Sequence, residues 1–149
     1  MLPKLKILFL CTGNSCRSQM AEGWARHLKP GSIEPYSAGV EPHQLDPRAV
    51  WAMAEVGVDI SGQRSKPVSE VSDIDFDYVV TVCDGARERC PVFPGKATMR
   101  HVGFEDPPKL VEHAPSEQEA LELYRRVRDE IRDFIATLPD NLLNEGTAP

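Results

Sequence analysis

Apolar positions along this 149-residue chain switch between two periods. Leu5-Lys6-Ile7-Leu8-Phe9-Leu10 is a short, nearly continuous apolar run, the pattern of a strand buried on both faces. Small polar residues follow, and then Met20, Ala21, Trp24, Ala25 and Leu28 recur at helical spacing. That order predicts strand, tight loop, helix. Lys29-Pro30-Gly31-Ser32 reads as a turn, and a second strand is expected near Ile33 to Ala38, closed by Gly39. Asp46 before Pro47 predicts an N-cap with proline at the first helical position, opening a helix through Val50, Met53 and Ala54 that stops at Gly57. Asp59 to Pro67 is polar and loop-like. Tyr78-Val79-Val80-Thr81-Val82 predicts a buried strand with Cys83 at its end, and Thr98 to Val102 a weaker fourth. Ser116 with Glu119 forms a capping box, and the helix behind it carries an apolar stripe at Ala120, Tyr124, Val127, Ile131, Phe134 and Leu138. Residues 1–138 are expected as a single domain and residues 139–149 as a flexible polar tail.

Strands alternating with helices predict a three-layer α/β/α fold around a four-stranded parallel sheet. Ligands in such folds bind beyond the carboxyl ends of the strands. Cys11 and Cys83 both stand at such ends, so one crevice is expected to hold both. The length suits one domain with a real core. No run is long enough to span a membrane, and the chain goes directly into a strand, so a cytoplasmic protein is expected. A net charge of −6 argues against broad nucleic-acid or membrane-surface binding. The four cysteines, at 11, 16, 83 and 90, do not follow the two-to-four-residue spacing of zinc knuckles.

The chemistry concentrates in Cys11-Thr12-Gly13-Asn14-Ser15-Cys16-Arg17-Ser18. Gly13 and Asn14 tolerate the positive φ that lets successive N–H groups converge on one point as an anion nest. The following helix adds its positive N-terminal end, and Arg17 a planar fork matched to a tetrahedral oxyanion. Groups that hold an anion also favour thiolate over thiol at Cys11, and Ser18 is placed to donate a hydrogen bond to that sulfur. The segment is an oxyanion cradle with a nucleophile at its base. Thr12, Gly13, Asn14, Ser15, Cys16 and Arg17 are the expected substrate-binding residues. The Cys16 side chain reads as packing, and the histidines as structural or exposed.

A second informative stretch is Val82-Cys83-Asp84-Gly85-Ala86-Arg87-Glu88-Arg89-Cys90-Pro91. If it is helical, Cys83 and Cys90 share a face, with Cα atoms about 10 Å apart. A disulfide tolerates at most about 7 Å, so bonding requires the segment to unwind. Gly85 and Pro91 make such a helix easy to undo. These two cysteines are either a redox pair or two unrelated buried thiols.

Cys11 to Gly23 resembles the signature of the thioredoxin-coupled arsenate reductases, which share the fold of the low-molecular-weight protein tyrosine phosphatases. The similarity continues through Tyr36-Ser37-Ala38-Gly39, Thr81-Val82-Cys83, Cys90-Pro91, His101-Val102-Gly103-Phe104-Glu105-Asp106-Pro107 and Arg126 to Ile131. The resemblance implies a relay in which the Cys11 thiolate attacks arsenate and Asp106 protonates a departing oxygen. Cys83 then attacks Cys11, releasing arsenite, and Cys90 attacks Cys83. Thioredoxin reduces the final bond. It further implies competition by phosphate or sulfate and a role in arsenic detoxification; no bound cofactor or metal is expected, and nothing in the sequence demands more than a monomer. Some family members hold potassium at positions matching Asn14, Glu22, Ser37 and a carboxylate, where this chain has Lys66; its ammonium is expected to stand in the cation's place. A phosphatase of the same fold, needing only Cys11, and a thiol-based redox sensor remain alternative readings. Pro107-Pro108-Lys109, where the phosphatases place a tyrosine pair, favours the reductase.

Overall fold

The computed structural model describes residues 3–84, Phe93 and residues 96–145. Cys90 and most of the segment between the two relay cysteines lie outside the described residues. The apolar run becomes β1 (Leu5–Cys11), one of the two inner strands of the sheet, with Ile7 to Leu10 fully buried. It pairs in parallel with β2 (Ile33–Gly39) on one side and β3 (Tyr78–Thr81) on the other, and β3 pairs in parallel with β4 (Thr98–His101). The order β2-β1-β3-β4 places the topological switch between β1 and β3. Cys11 ends β1 and Cys83 follows β3 by two residues, so both thiols leave the sheet at the crevice where such folds bind ligands.

Period-two alternation sorts β1 between two cores. Ile7, Phe9 and Cys11 face the larger cluster, whereas Leu8 and Leu10 face a smaller one with Val71, Phe76, Val79 and Phe93. The larger cluster is closed by α1 (Arg17–Leu28), α2 (Pro47–Glu55) and α4 (Glu117–Ala136). Met20, Ala21, Trp24 and Ala25 are buried as the periodicity predicts, but Leu28, the last residue of α1, is exposed. Trp24 Nε1 donates to the Arg128 carbonyl at 3.1 Å, tying α1 to α4. Asp46 caps α2 by accepting from Arg48 N at 3.0 Å, and Ser116 caps α4 by accepting from Glu119 N at 3.1 Å. On α4, Ile135 is fully buried while Phe134 is only partly covered, so the stripe runs slightly off the predicted line. Among the described residues, the second face of the sheet is covered by the segment around the short 3-10 turn Val68–Glu70 rather than by a long helix.

Two elements depart from the sequence expectation. A short α3 (Pro107–Leu110), for which the sequence pattern predicts no element, begins directly after Asp106. Proline suits a first helical turn because those N–H groups have no partner inside the helix. The packed domain also does not stop at Leu138. It continues into α5 (Asp140–Glu145), whose Leu142 is fully buried in the larger cluster. That buried leucine anchors the segment expected as a tail. Among the described residues, no helix is long and apolar enough to cross a membrane.

Candidate active site

The loop between β1 and α1 owes its shape to hydrogen bonds made on its outer side. Each carbonyl from Thr12 to Ser15 is held by a donor from elsewhere in the chain. The segment after β2 lies against the loop, and its backbone supplies Glu41 N to Thr12 O at 3.0 Å, His43 N to Gly13 O at 2.8 Å and Asp46 N to Ser15 O at 2.9 Å. The Asn14 carbonyl accepts from Gln19 Nε2 at 3.0 Å and Ser65 Oγ at 2.5 Å. With its carbonyls drawn outward, the loop turns its N–H groups toward the Cys11 sulfur, and Asn14 N lies 3.3 Å from Sγ. Asn14 is the one described non-glycine residue with positive φ, at 49°, as the nest requires. Helix α1 has no side-chain cap and no acidic residue in its first turn, so its N-terminal end is left to an anion.

One chain of hydrogen bonds leads from the Lys66 main chain through Asn14 and Ser18 to Cys11. The Lys66 backbone N–H can only donate, and it donates to Asn14 Oδ1 at 2.9 Å. The other end of that amide is therefore Nδ2, which donates to Ser18 Oγ at 2.8 Å. Ser18 Oγ and Cys11 Sγ are hydrogen-bonded at 2.9 Å, and with Cys11 as a thiolate the hydroxyl is the donor. Asn14 and Ser18 are fully buried and Cys11 almost so, so these bonds act away from water. The Asn14 side chain that meets Ser18 is thus oriented by a main-chain group 48 residues after Ser18.

Arg17 and Asp106 close the other side. Arg17 Nη1 donates to the Phe104 carbonyl at 3.1 Å, and Nη2 stands 3.5 Å from Asp106 Oδ1. The acid is brought there because Val102 N and Phe104 N donate to Thr81 O and Val82 O, extending the β3–β4 pairing to the edge of the crevice. Gly103 belongs to that run, and a Cβ there would lie 3.0 Å from the Cys83 carbonyl. The segment bearing Asp106 therefore packs directly on the backbone of Cys83. A cavity of about 430 Å³ opens over Cys11, walled by the loop, His43, Asp106 and Lys109. A second, of about 440 Å³, shares Asp106, Lys109 and Glu112 and reaches Asp84 beside Cys83.

The cysteines divide by state. Cys11 and Cys16 are free thiols, whereas Cys83 is disulfide-bonded and fully buried. Burial, reinforced by the Asp46 and Asp106 carboxylates, holds the Cys16 thiol well above the usual thiol range, so it stays neutral. Cys16 is also part of the core, consistent with packing as its side-chain role. Lys66 Nζ lies 3.9 Å from Glu22 Oε1 and donates to the Arg64 carbonyl at 3.2 Å, while Ser37 Oγ donates to the same Glu22 oxygen at 2.5 Å. Of the groups that the resemblance associates with a cation, the ammonium thus pairs with Glu22, which Ser37 also engages. Among the described residues, no group of three or more His, Cys, Asp or Glu side chains is placed to hold a metal ion.

This construction has relatives. Residues 6–147 match the family described as low molecular weight phosphotyrosine protein phosphatase. The chain belongs to that family. Within it, the chain is 50% identical over 127 residues to the arsenate reductase of Bacillus subtilis (strain 168), covering 84% of this chain and 88% of that one. A solved structure of an arsenate reductase in the phosphate binding state superimposes with a TM-score of 0.73 at 34% identity, covering 95% of this chain and 98% of that one. The thioredoxin-dependent arsenate reductase of Corynebacterium glutamicum matches at 30% identity and a TM-score of 0.58, over 89% of this chain and 62% of that one.

The strap of residues 41–46 and four cavity residues, His43, Pro108, Lys109 and Glu112, are not marked as site residues by the sequence. The strap acts through backbone N–H groups, which leave no trace in residue type. His43 is exposed, as expected of the histidines, yet it walls the cavity.

Proposed function

We propose that this protein reduces arsenate to arsenite by a three-cysteine relay that thioredoxin resets, serving arsenic detoxification in the cytoplasm as a monomer. The observation that carries the reading is the free Cys11 thiol beneath inward-turned amides, beside the Arg17–Asp106 pair. The loop amides of Thr12 to Arg17 and the Arg17 guanidinium hold the dianion. The Cys11 thiolate attacks arsenic and an oxygen leaves as water, protonated by Asp106, giving a thiol–arsenate(V) adduct. A Cys83 thiolate then attacks the Cys11 sulfur. The sulfur–arsenic electron pair stays with arsenic, which leaves as arsenite, and a Cys11–Cys83 disulfide forms. Cys90 attacks Cys83, freeing Cys11 and moving the oxidation to Cys83–Cys90, from which a thioredoxin dithiol takes it. Two electrons pass from thiols to arsenic in each turnover.

Three further points support the relay. Both Cys11 and Cys83 leave the sheet at one crevice, Cys83 is in a disulfide while Cys11 is free, and one relative is named thioredoxin-dependent. Phosphate and sulfate bind the same cradle as competitors without this electron transfer. The retained cradle and acid also support a weak phosphomonoester hydrolysis that needs Cys11 but neither Cys83 nor Cys90. Serine replacement at each cysteine separates the possibilities. Cys11→Ser, Cys83→Ser and Cys90→Ser should each abolish multiple turnover with thioredoxin, while Cys16→Ser keeps it. Mass spectrometry after one arsenate turnover without reductant should find a single disulfide and one arsenite per protein. Full thioredoxin-driven turnover by Cys83→Ser or Cys90→Ser would refute the relay.

A further inference from the structure

We propose that His43 is a titrating arm of the oxyanion cavity: as an imidazolium it adds positive charge at the cavity wall, and oxyanion affinity follows its protonation. This rests on the oxyanion reading of the cavity given above and extends it to a residue outside the loop. His43 is fixed in place from two directions. Its backbone N–H donates to the Gly13 carbonyl at 2.8 Å, and its ring lies on Gly13 itself. Ring atoms Cδ2, Cγ and Nε2 lie 2.7, 3.6 and 3.7 Å from the point a Gly13 Cβ would occupy. The glycine therefore serves twice, bending the nest and making room for the imidazole. Turning the ring over still leaves one nitrogen on this edge.

The charges around His43 define what its proton can do. Glu41 and Asp46 belong to its own segment. The loop presents Cys11, Cys16 and Arg17, and the opposite wall presents Asp106, Lys109 and Glu112. Arg17 is shared with Asp106 at 3.5 Å, and Asp46 accepts from Tyr124 Oη at 2.5 Å. The raised Cys16 thiol stays neutral throughout the neutral range. An imidazole changes charge between about pH 5 and pH 8. In a chain of net charge −6, one added cation at the mouth weighs on the capture of an anion.

Sulfate binding tests this, because sulfate stays a dianion across the range and its own titration cannot mimic the effect. Calorimetry is done in the Cys11→Ser background, which removes the nucleophile's titration. Any titration of Asp106 or Glu112 is common to the proteins compared and cancels. Sulfate affinity should fall about fivefold from pH 5.5 to about pH 8. Adding His43→Gln should abolish the fall, and adding His43→Lys should hold the high-pH affinity near the low-pH value. A fall of the same size in the His43→Gln protein, or no fall in its parent, overturns the proposal while leaving the oxyanion site standing. Absence of sulfate binding to the Cys11→Ser parent at any pH overturns both. If His43→Gln loses its cooperative melting transition, the His43→Lys protein decides alone: affinity that still falls with pH refutes the role.

Discussion

Adding one methyl group at Gly39 should disable the cradle without replacing any residue that lines it. A Cβ at Gly39 would stand 2.6 Å from the Thr12 carbonyl oxygen, 2.9 Å from Asn14 N and 3.0 Å from Asn14 Cβ. Ordinary contact begins at 3.4 Å, so one side has to retreat by roughly 0.8 Å. Neither side is free to do so. Gly39 is held in register opposite Cys11, and its N–H donates to the Lys66 carbonyl at 3.0 Å. The loop is held by Glu41 N on Thr12 O at 3.0 Å and by the two donors on Asn14 O. Overpacking of this kind costs about 1–3 kcal/mol, within what a domain of this size survives. A displacement near 1 Å at a catalytic group costs on the order of 100-fold in rate. Gly39→Ala should therefore melt cooperatively at a lower temperature, with kcat/KM for thioredoxin-coupled arsenate reduction down on the order of 100-fold. Phosphate affinity should weaken at least about tenfold, since Asn14 N is among the displaced donors. Gly62→Ala is the control, because an added Cβ there meets nothing within 4 Å. A folded Gly39→Ala protein with kcat/KM within about twofold of the parent would mean that the close approach does not shape the loop.

Glu55 should make the fold acid-sensitive. Arg125 first, then Arg128, hydrogen-bonds this carboxylate and holds its pKa at about 2, against 4.5 for the free group. A depressed carboxylate stabilises the fold fully above its unfolded pKa and loses that contribution as pH falls toward its folded value. The stability lost from pH 4.5 down to about 2 should accordingly be smaller in Glu55→Gln, read as urea midpoints at a series of pH values; equal losses in both proteins would exclude the role. Lys66, placed among Glu22, Asn14 and Ser37, predicts arsenate reduction indifferent to exchanging potassium for sodium at constant ionic strength. A strong, potassium-specific rise in rate would show that the ammonium does not replace the cation.

The site was legible wherever its chemistry is carried by residue type within a short span. Cys11, Asn14, Arg17 and Ser18 lie in eight consecutive residues, and the loop brings Cys11, Asn14 and Ser18 into contact. The sheet was legible because a buried parallel strand leaves a continuous apolar run, as in Leu5 to Leu10. What escaped acts at long range through the main chain. The donors on the loop carbonyls come from Glu41, His43 and Asp46, in a stretch with no apolar period, and the group that orients Asn14 is the Lys66 N–H. Arg17 likewise finds the Phe104 carbonyl, 87 residues away, which no local pattern announces. Helix α3 was concealed by prolines that disfavour helix interiors but suit helix starts, and α5 by a polar segment with one deeply buried leucine.

Because those outer bonds are made by the chain itself, the mould is cast before its guest arrives. Little ordering entropy is then spent on capture, which helps a cell meeting a trace poison. The same stiffness forbids a grip that adapts to one tetrahedral oxyanion over another of similar size and charge. Phosphate, bound as proposed above, would then occupy the protein for part of the time, and the choice of arsenate would fall to what the bound atom can accept from sulfur. Selectivity in such a machine is kinetic, exercised after binding, and its cost is idle occupancy rather than error.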